Sequence, residues 1–178
     1  MAANPSTPLV SVEEYIARFV DGGEKPTCEF EDGVLIPKAM ASKKHSQVQV
    51  NIATQIRIDY QGTLNPLTEL TTRLRTKHFL VPDLAVEELA KPIQGRYPGP
   101  NDPVLLCVEI KSPPDRVGKL FGKCEDYHQW GVPYCWVIDP EHKIAWEYFP
   151  DDLEPRKVVD YLTAGPIRLS LSDVFFLV

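Results

Sequence analysis

The chain has 178 residues, 43% of them hydrophobic, enough for one compact core and too few for two ordinary domains. Nineteen Lys and Arg stand against 25 Asp and Glu, a formal charge of −6, which counts against a protein that coats nucleic acid through a wholly basic surface. Its 4 cysteines form no C-x-x-C pair and no two histidines fall at ligand spacing along a helix, which argues against a zinc site or a disulfide framework.

Residues 1–10 read as a flexible Pro/Ser/Thr lead, and residues 11–178 as a single domain. Ser11 followed by Glu14 resembles a capping box opening a short helix through Phe19, closed by Asp21-Gly22-Gly23. CEFEDGVLIPKA predicts a hairpin about Asp32-Gly33. SQVQVNIATQIRIDYQG is the clearest helix, with Val48, Ile52 and Ile56 recurring at i+4 and Gly62 as its stop. Strand patterns follow at 72–75 and 79–86, the second interrupted by Pro82, and then a Pro/Gly-rich loop, KPIQGRYPGPNDP. Residues 104–110 form a nearly continuous apolar run, as expected of a central strand covered on both faces, and Pro113-Pro114 break it. Residues 116–130 predict a helix closed by Gly131, and 134–138 and 144–149 two strands about an Asp139-Pro140-Glu141-His142 turn. The apolar VFFLV tail must dock on the protein or pair with a partner. This order of elements predicts an α/β (α+β) fold with a mixed β-sheet. No apolar run approaches the roughly 18 residues of a membrane span, and the N-terminus lacks a secretion-signal pattern, so the expected setting is soluble and cytoplasmic with no membrane partner.

The chemistry concentrates in VEIKSP. Strand alternation puts Glu109 and Lys111 on one side, Val108 and Ile110 on the other. A carboxylate and an ammonium near the end of an apolar strand are costly unless paired or bound to something. Asp83 lies inside a second apolar run, FLVPDLAV. Asp83, Glu109 and Lys111 on adjacent strands would bring two carboxylates and an amine to one point. Asp83 and Glu109 would then be metal ligands for a hard cation, Mg²⁺ or Mn²⁺, that keeps several waters and shares its remaining positions with phosphate. The lysine would orient the attacking water or offset developing charge. A structural salt bridge from Lys111 to either acid is the competing reading of the same spacing.

Pro82-Asp83 with Glu109-x-Lys111 matches the PD-(D/E)xK nuclease signature. In order along residues 11–176, CEFEDGVLI, His45 before a helix, VPDLAV, VEIKSPPD, Lys123 and Tyr127, Gly131-Val132-Pro133-Tyr134 and WVIDP resemble the Uma2 family of restriction-endonuclease-like proteins. The resemblance implies a restriction endonuclease-like core, its mixed β-sheet flanked by helices, with an N-terminal helix and β-hairpin. It puts Asp83 and Glu109 on the metal-binding acids, and Glu29 on an N-terminal acid that completes the metal shell or positions a water. A surface hairpin glutamate is an equally open reading of Glu29. Many family members resemble VEVLSP and lack a lysine at position 111, where the helical lysine matching Lys123 would replace it. This chain has both, and alternation favours Lys111. Lys119, Lys123 and Tyr127 share one helix face. Tyr127, Gly131 and Trp136 read as structural, and His45 as a polar cap with an open option of phosphate binding at the helix start.

The charge is unevenly spread. Residues 1–37 hold two basic and seven acidic residues, residues 38–81 seven and two, and residues 82–178 ten and sixteen. If Lys38, Lys43, Lys44, Arg73, Arg75 and Lys77, with Arg116, Lys119 and Lys123, line a cleft mouth, they would hold a DNA backbone. The leading expectation is a Mg²⁺-dependent endonuclease acting on DNA. The alternative is a non-catalytic interaction module on the same fold, a homodimer built through the tail Val174–Val178. A nucleotide or small-phosphoester hydrolase using the same residues is a third.

Overall fold

The computed structural model describes residues 9–178. Most of the lead expected over residues 1–10 lies outside them, but Val10 is tied down, its N–H donating to Gly33 O at 2.8 Å. Ser11 caps helix α1 (Val12–Tyr15) by accepting from the Glu14 N–H, and the helix then widens into a π-helix, Ile16–Asp21. Strands β1 (Cys28–Glu31) and β2 (Val34–Pro37) form the predicted hairpin. Its two-residue turn needs positive φ at both positions, which Asp32 tolerates and Gly33 adopts freely, at 45° and 93°.

Helix α2 (Lys43–Asp59) starts at the Ser42 cap and buries Val48, Ile52 and Ile56 completely. Each such side chain contributes about 1.5–3 kcal/mol by leaving water. Next come β3 (Leu64–Thr68), β4 (Thr72–Arg75), β5 (His78–Leu80), β6 (Leu84–Glu88) and β7 (Leu106–Ile110). Helix α3 (Val117–Trp130) ends at Gly131, whose φ of 112° is a left-handed cap that favours glycine. Strands β8 (Tyr134–Asp139), β9 (Ile144–Tyr148), β10 (Arg156–Lys157), β11 (Tyr161–Ala164) and β12 (Ile167–Ser170) precede a last turn, α4 (Leu171–Val174).

Six strands form a mixed sheet in the order β10-β9-β8-β7-β6-β3. Among the described residues only β7 and β8, joined through α3, run parallel, because a parallel return needs a crossover segment. As the apolar run predicts, β7 is interior and wholly buried. Leu106, Val108 and Ile110 pack with α2, and Cys107 packs with Leu120, Cys124 and Tyr127 of α3. A second, four-stranded sheet has the order β2-β1-β5-β4. The predicted strand 79–86 is therefore two strands in two sheets. Pro82 has no N–H for a ladder, so Val81-Pro82-Asp83 is the crossing between them.

The β11–β12 hairpin and β3 were not expected from the sequence. The tail docks on the protein itself, burying Val174 and Phe175 and leaving Phe176 and Leu177 exposed. Among the described residues no helix is long and apolar enough to cross a membrane.

Candidate active site

A cavity of about 1120 Å³ opens where the two sheets meet, walled by the π-helix, the segment before α2, the loop after β7 and the first turns of α3. Three carboxylates lie on its floor: Glu29 from β1, Asp83 from the crossing and Glu109 from β7, exposed by 3%, 3% and 2%. The path of the chain explains the convergence. Asp83 sits one residue before β6, so its Oδ2 reaches the Ile110 N–H at the end of the adjoining β7, 2.6 Å away. Glu29 Oε1 accepts from the Val81 N–H at 3.0 Å, which fixes the hairpin acid to the other side of the crossing.

Two buried lysines answer these charges. Lys123 Nζ lies 2.7 Å from Glu29 Oε1 and 3.0 Å from Glu109 Oε2. Lys38 Nζ lies 2.8 Å from Asp83 Oδ1 and 3.0 Å from Glu69 Oε2, and donates to Val81 O at 2.7 Å. The Tyr127 hydroxyl donates to Glu109 Oε1 at 2.6 Å, and His45 Nε2 lies 3.2 Å from Asp83 Oδ2. Among the described residues, buried His45 Nδ1 has no hydrogen-bond partner.

The two central acids differ in charge. Burial opposes ionisation of Asp83, but the hydrogen bond from His45 and the Lys38 ammonium overcome it and hold the carboxyl well below the usual range. Burial pushes Glu109 up to about 7; Lys123 works against that shift and the Asp83 charge works with it. Burial disfavours the Lys123 charge, yet Glu109 and Glu29 hold the ammonium above its ordinary range. The same floor therefore favours the ionised form of Asp83 and opposes ionisation of Glu109.

Four of the five residues singled out from sequence converge here: Glu29, Asp83, Glu109 and Lys123. Lys111 does not. It shares Glu109's face of the sheet, but alternation fixes the face and not the lateral direction, and i and i+2 are about 7 Å apart along a strand. Its Nζ faces Asp139 Oδ2 of β8 at 3.7 Å. Tyr127 is not merely an aromatic against the sheet, and His45 is a buried partner of Asp83 instead of a simple polar cap. Helix spacing does hold on α3, where Lys119 lines the cavity on the same face as Lys123 and Tyr127.

Most of the basic residues of the positively charged segment 38–81 lie elsewhere. Lys44 pairs with Glu141, Arg73 stacks over Phe79, and Arg75 sits beside Asp126. Of these basic residues only Lys38 lines the cavity, with Lys25, Lys119 and Lys123 from other segments. Lys38 was expected at the cleft mouth as a backbone contact and instead pairs with Asp83, and Glu69 carried no sequence signal for a place in the site, since topology alone brings them to Asp83.

Among the described residues no three His, Cys, Asp or Glu side chains converge closely enough to enclose a metal by themselves. Asp83 and Glu109 could supply two oxygens, because Asp83 Oδ1 and Glu109 Oε2 each accept from one lysine only and keep a lone pair. That suits Mg²⁺, which commonly binds one or two carboxylates and keeps its waters.

The family model described as "Uma2: Putative restriction endonuclease" matches residues 12–175. The fold is similar to that of a solved chain from Anabaena variabilis, described as "a putative nuclease belonging to DUF820", with a TM-score of 0.73. The two are 23% identical over 85% of this chain and 91% of the other, so the likeness is one of fold. No curated protein matches the chain.

Proposed function

Since the chain belongs to the Uma2 family, whose model carries the description "Putative restriction endonuclease", we propose that it is a metal-dependent endonuclease hydrolysing DNA phosphodiester bonds. The observation that carries this reading is the meeting of Asp83 and Glu109 with a buried lysine at the bottom of one cavity. Asp83 and Glu109 would hold Mg²⁺ or Mn²⁺. When bound, such an ion lowers the pKa of a water and stabilises charge on phosphoryl oxygens.

The protein's own groups supply the rest. Ile110 N–H and His45 fix the Asp83 carboxylate, and Tyr127 fixes Glu109, so both acids are held without needing to reorganise. Lys123, on the helix above them, is the lysine placed to orient a water or to offset charge on the departing oxygen. Lys119 and Lys25 at the mouth give the DNA backbone a small cationic footing. With the acidic surface, this favours local engagement over extended coating.

The test is plasmid nicking with Mg²⁺ and Mn²⁺, repeated with Asp83→Ala and Glu109→Ala. Nicking by the intact protein and none by either variant is expected. Cleavage that persists in both variants, or no cleavage of any DNA form, overturns the reading. The lysine pairing of every floor acid favours a second reading, a non-catalytic module whose acids are structural ion pairs. Calorimetry with Mn²⁺ separates the two: heat lost with Asp83→Ala supports the enzyme, and no heat supports the module.

A further inference from the structure

Lys38 and Lys123 occupy similar positions but differ in one respect. Both acids on Lys123 are buried, whereas Lys38 bridges a buried acid and a solvent-facing one. Its three contacts, to Asp83, Glu69 and Val81 O, match the three N–H bonds of an ammonium. The Asp83 side chain is 5% exposed and the Glu69 side chain 44%. Glu69 is also locally constrained. Its φ of 52° lies in the left-handed region that side chains rarely adopt, and such strain persists only where the surroundings enforce it. Its N–H donates to Asp83 O at 3.2 Å, and Gln49, which also donates to Asp83 O, donates to Glu69 Oε1 at 3.3 Å. Glu69 is thus locked to the backbone of the residue whose carboxylate Lys38 neutralises.

The floor holds three carboxylates against two ammoniums. Adding two positive charges beside Asp83 and Glu109 would leave an excess of buried cation, costly in a low-dielectric site unless one ammonium moves away. Among the described residues the acceptors of Lys123 are Glu29 and Glu109, both buried. Lys38 has Glu69.

We propose that Lys38 is a displaceable counter-ion of Asp83 and that Glu69 is the positioning residue that receives it. When a divalent cation takes Asp83, Lys38 withdraws onto Glu69 and the Val81 carbonyl. Lys38 then sets how tightly the cation is held, and Glu69 sets the cost of giving up Asp83. This inference rests on the metal-dependent reading above.

The experiment is a double-mutant cycle read as Mn²⁺ affinity by calorimetry, with no substrate present. The proteins are wild type, Lys38→Met, Glu69→Gln and the double variant, with Asp83→Asn to mark the site. Thermal melts check folding, and Lys38→Gln replaces the Met variant if that one does not fold. Lys38→Met should tighten Mn²⁺ by about tenfold, and Glu69→Gln should weaken it several-fold only while Lys38 is present. If Glu69 acted on the cation simply as a nearby charge, Glu69→Gln would weaken binding equally in both backgrounds, which overturns the proposal. So does a folded Lys38 variant of unchanged or lower affinity, and if wild-type binding still disappears with Asp83→Asn, the metal reading survives alone. No binding by any of the proteins overturns both.

Discussion

Lys123 and Glu29 are joined by a 2.7 Å ion pair that ties helix α3 to strand β1, an element of the other sheet. The same ammonium reaches Glu109, so one side chain, 11% exposed, neutralises two acids from two sheets. Removing it leaves two buried carboxylates without their cation. Lys123→Met should therefore destabilise the protein by about 3–5 kcal/mol, read by urea denaturation, and abolish nicking. Lys111→Met, whose ammonium is 3.7 Å from Asp139, should cost under about 1 kcal/mol and keep nicking. The reverse ranking would restore Lys111 as the working lysine.

Tyr127 offers a narrower change. Its hydroxyl is 2.6 Å from Glu109 Oε1 in a fully buried setting, so Tyr127→Phe keeps the ring and deletes one donor to a carboxylate. The expected loss is about 2 kcal/mol in urea denaturation. An unchanged midpoint and slope would mean that the hydroxyl contributes nothing to holding the acid.

The elements whose pattern is local were legible. Helix α2 follows from Val48, Ile52 and Ile56, α3 from its glycine stop, and the first hairpin from Asp32-Gly33. The acids were legible too, since Asp83 and Glu109 stand out in apolar strands. The partners of those acids were not. Lys38 meets Asp83 across 45 residues, and only the crossing at Pro82, which splits one apolar run between two sheets, brings them together. Lys111 misled because alternation names a face and says nothing about which neighbour on that face a long side chain meets. The β11–β12 hairpin did carry a signal, the Gly165-Pro166 turn between short alternating runs.

Glu109 should make stability depend on pH. Its carboxyl lies at an ordinary 4.5 when unperturbed and at about 7 in the fold, with burial the main cause. Between those values the folded state holds a proton that the unfolded state has released, so stability falls as pH rises through the window. Glu109→Gln removes this dependence. Without metal, the variant should gain on the wild type by up to about 3 kcal/mol between about pH 5 and pH 8. Urea denaturation in chelator across that range measures the difference, and a gap independent of pH would sink the assignment.

The C-terminal tail separates folding from association. Phe175 is 9% exposed and packs in the core beside α2, while Phe176 and Leu177 are 62% and 76% exposed. Asn51 of α2 donates to Val174 O and Phe176 O, at 3.0 Å and 2.8 Å, which fixes the tail against the helix. Phe175→Ala should therefore cost about 3 kcal/mol by opening a cavity. The pair Phe176→Ala and Leu177→Ala removes only exposed surface and should stay within about 0.5 kcal/mol for each site. Sedimentation of the same proteins gives the second readout. A dimer that dissociates only with the Phe176/Leu177 pair would place the interface on the exposed end of the tail. An unchanged sedimentation coefficient in that pair means that the tail serves its own core alone.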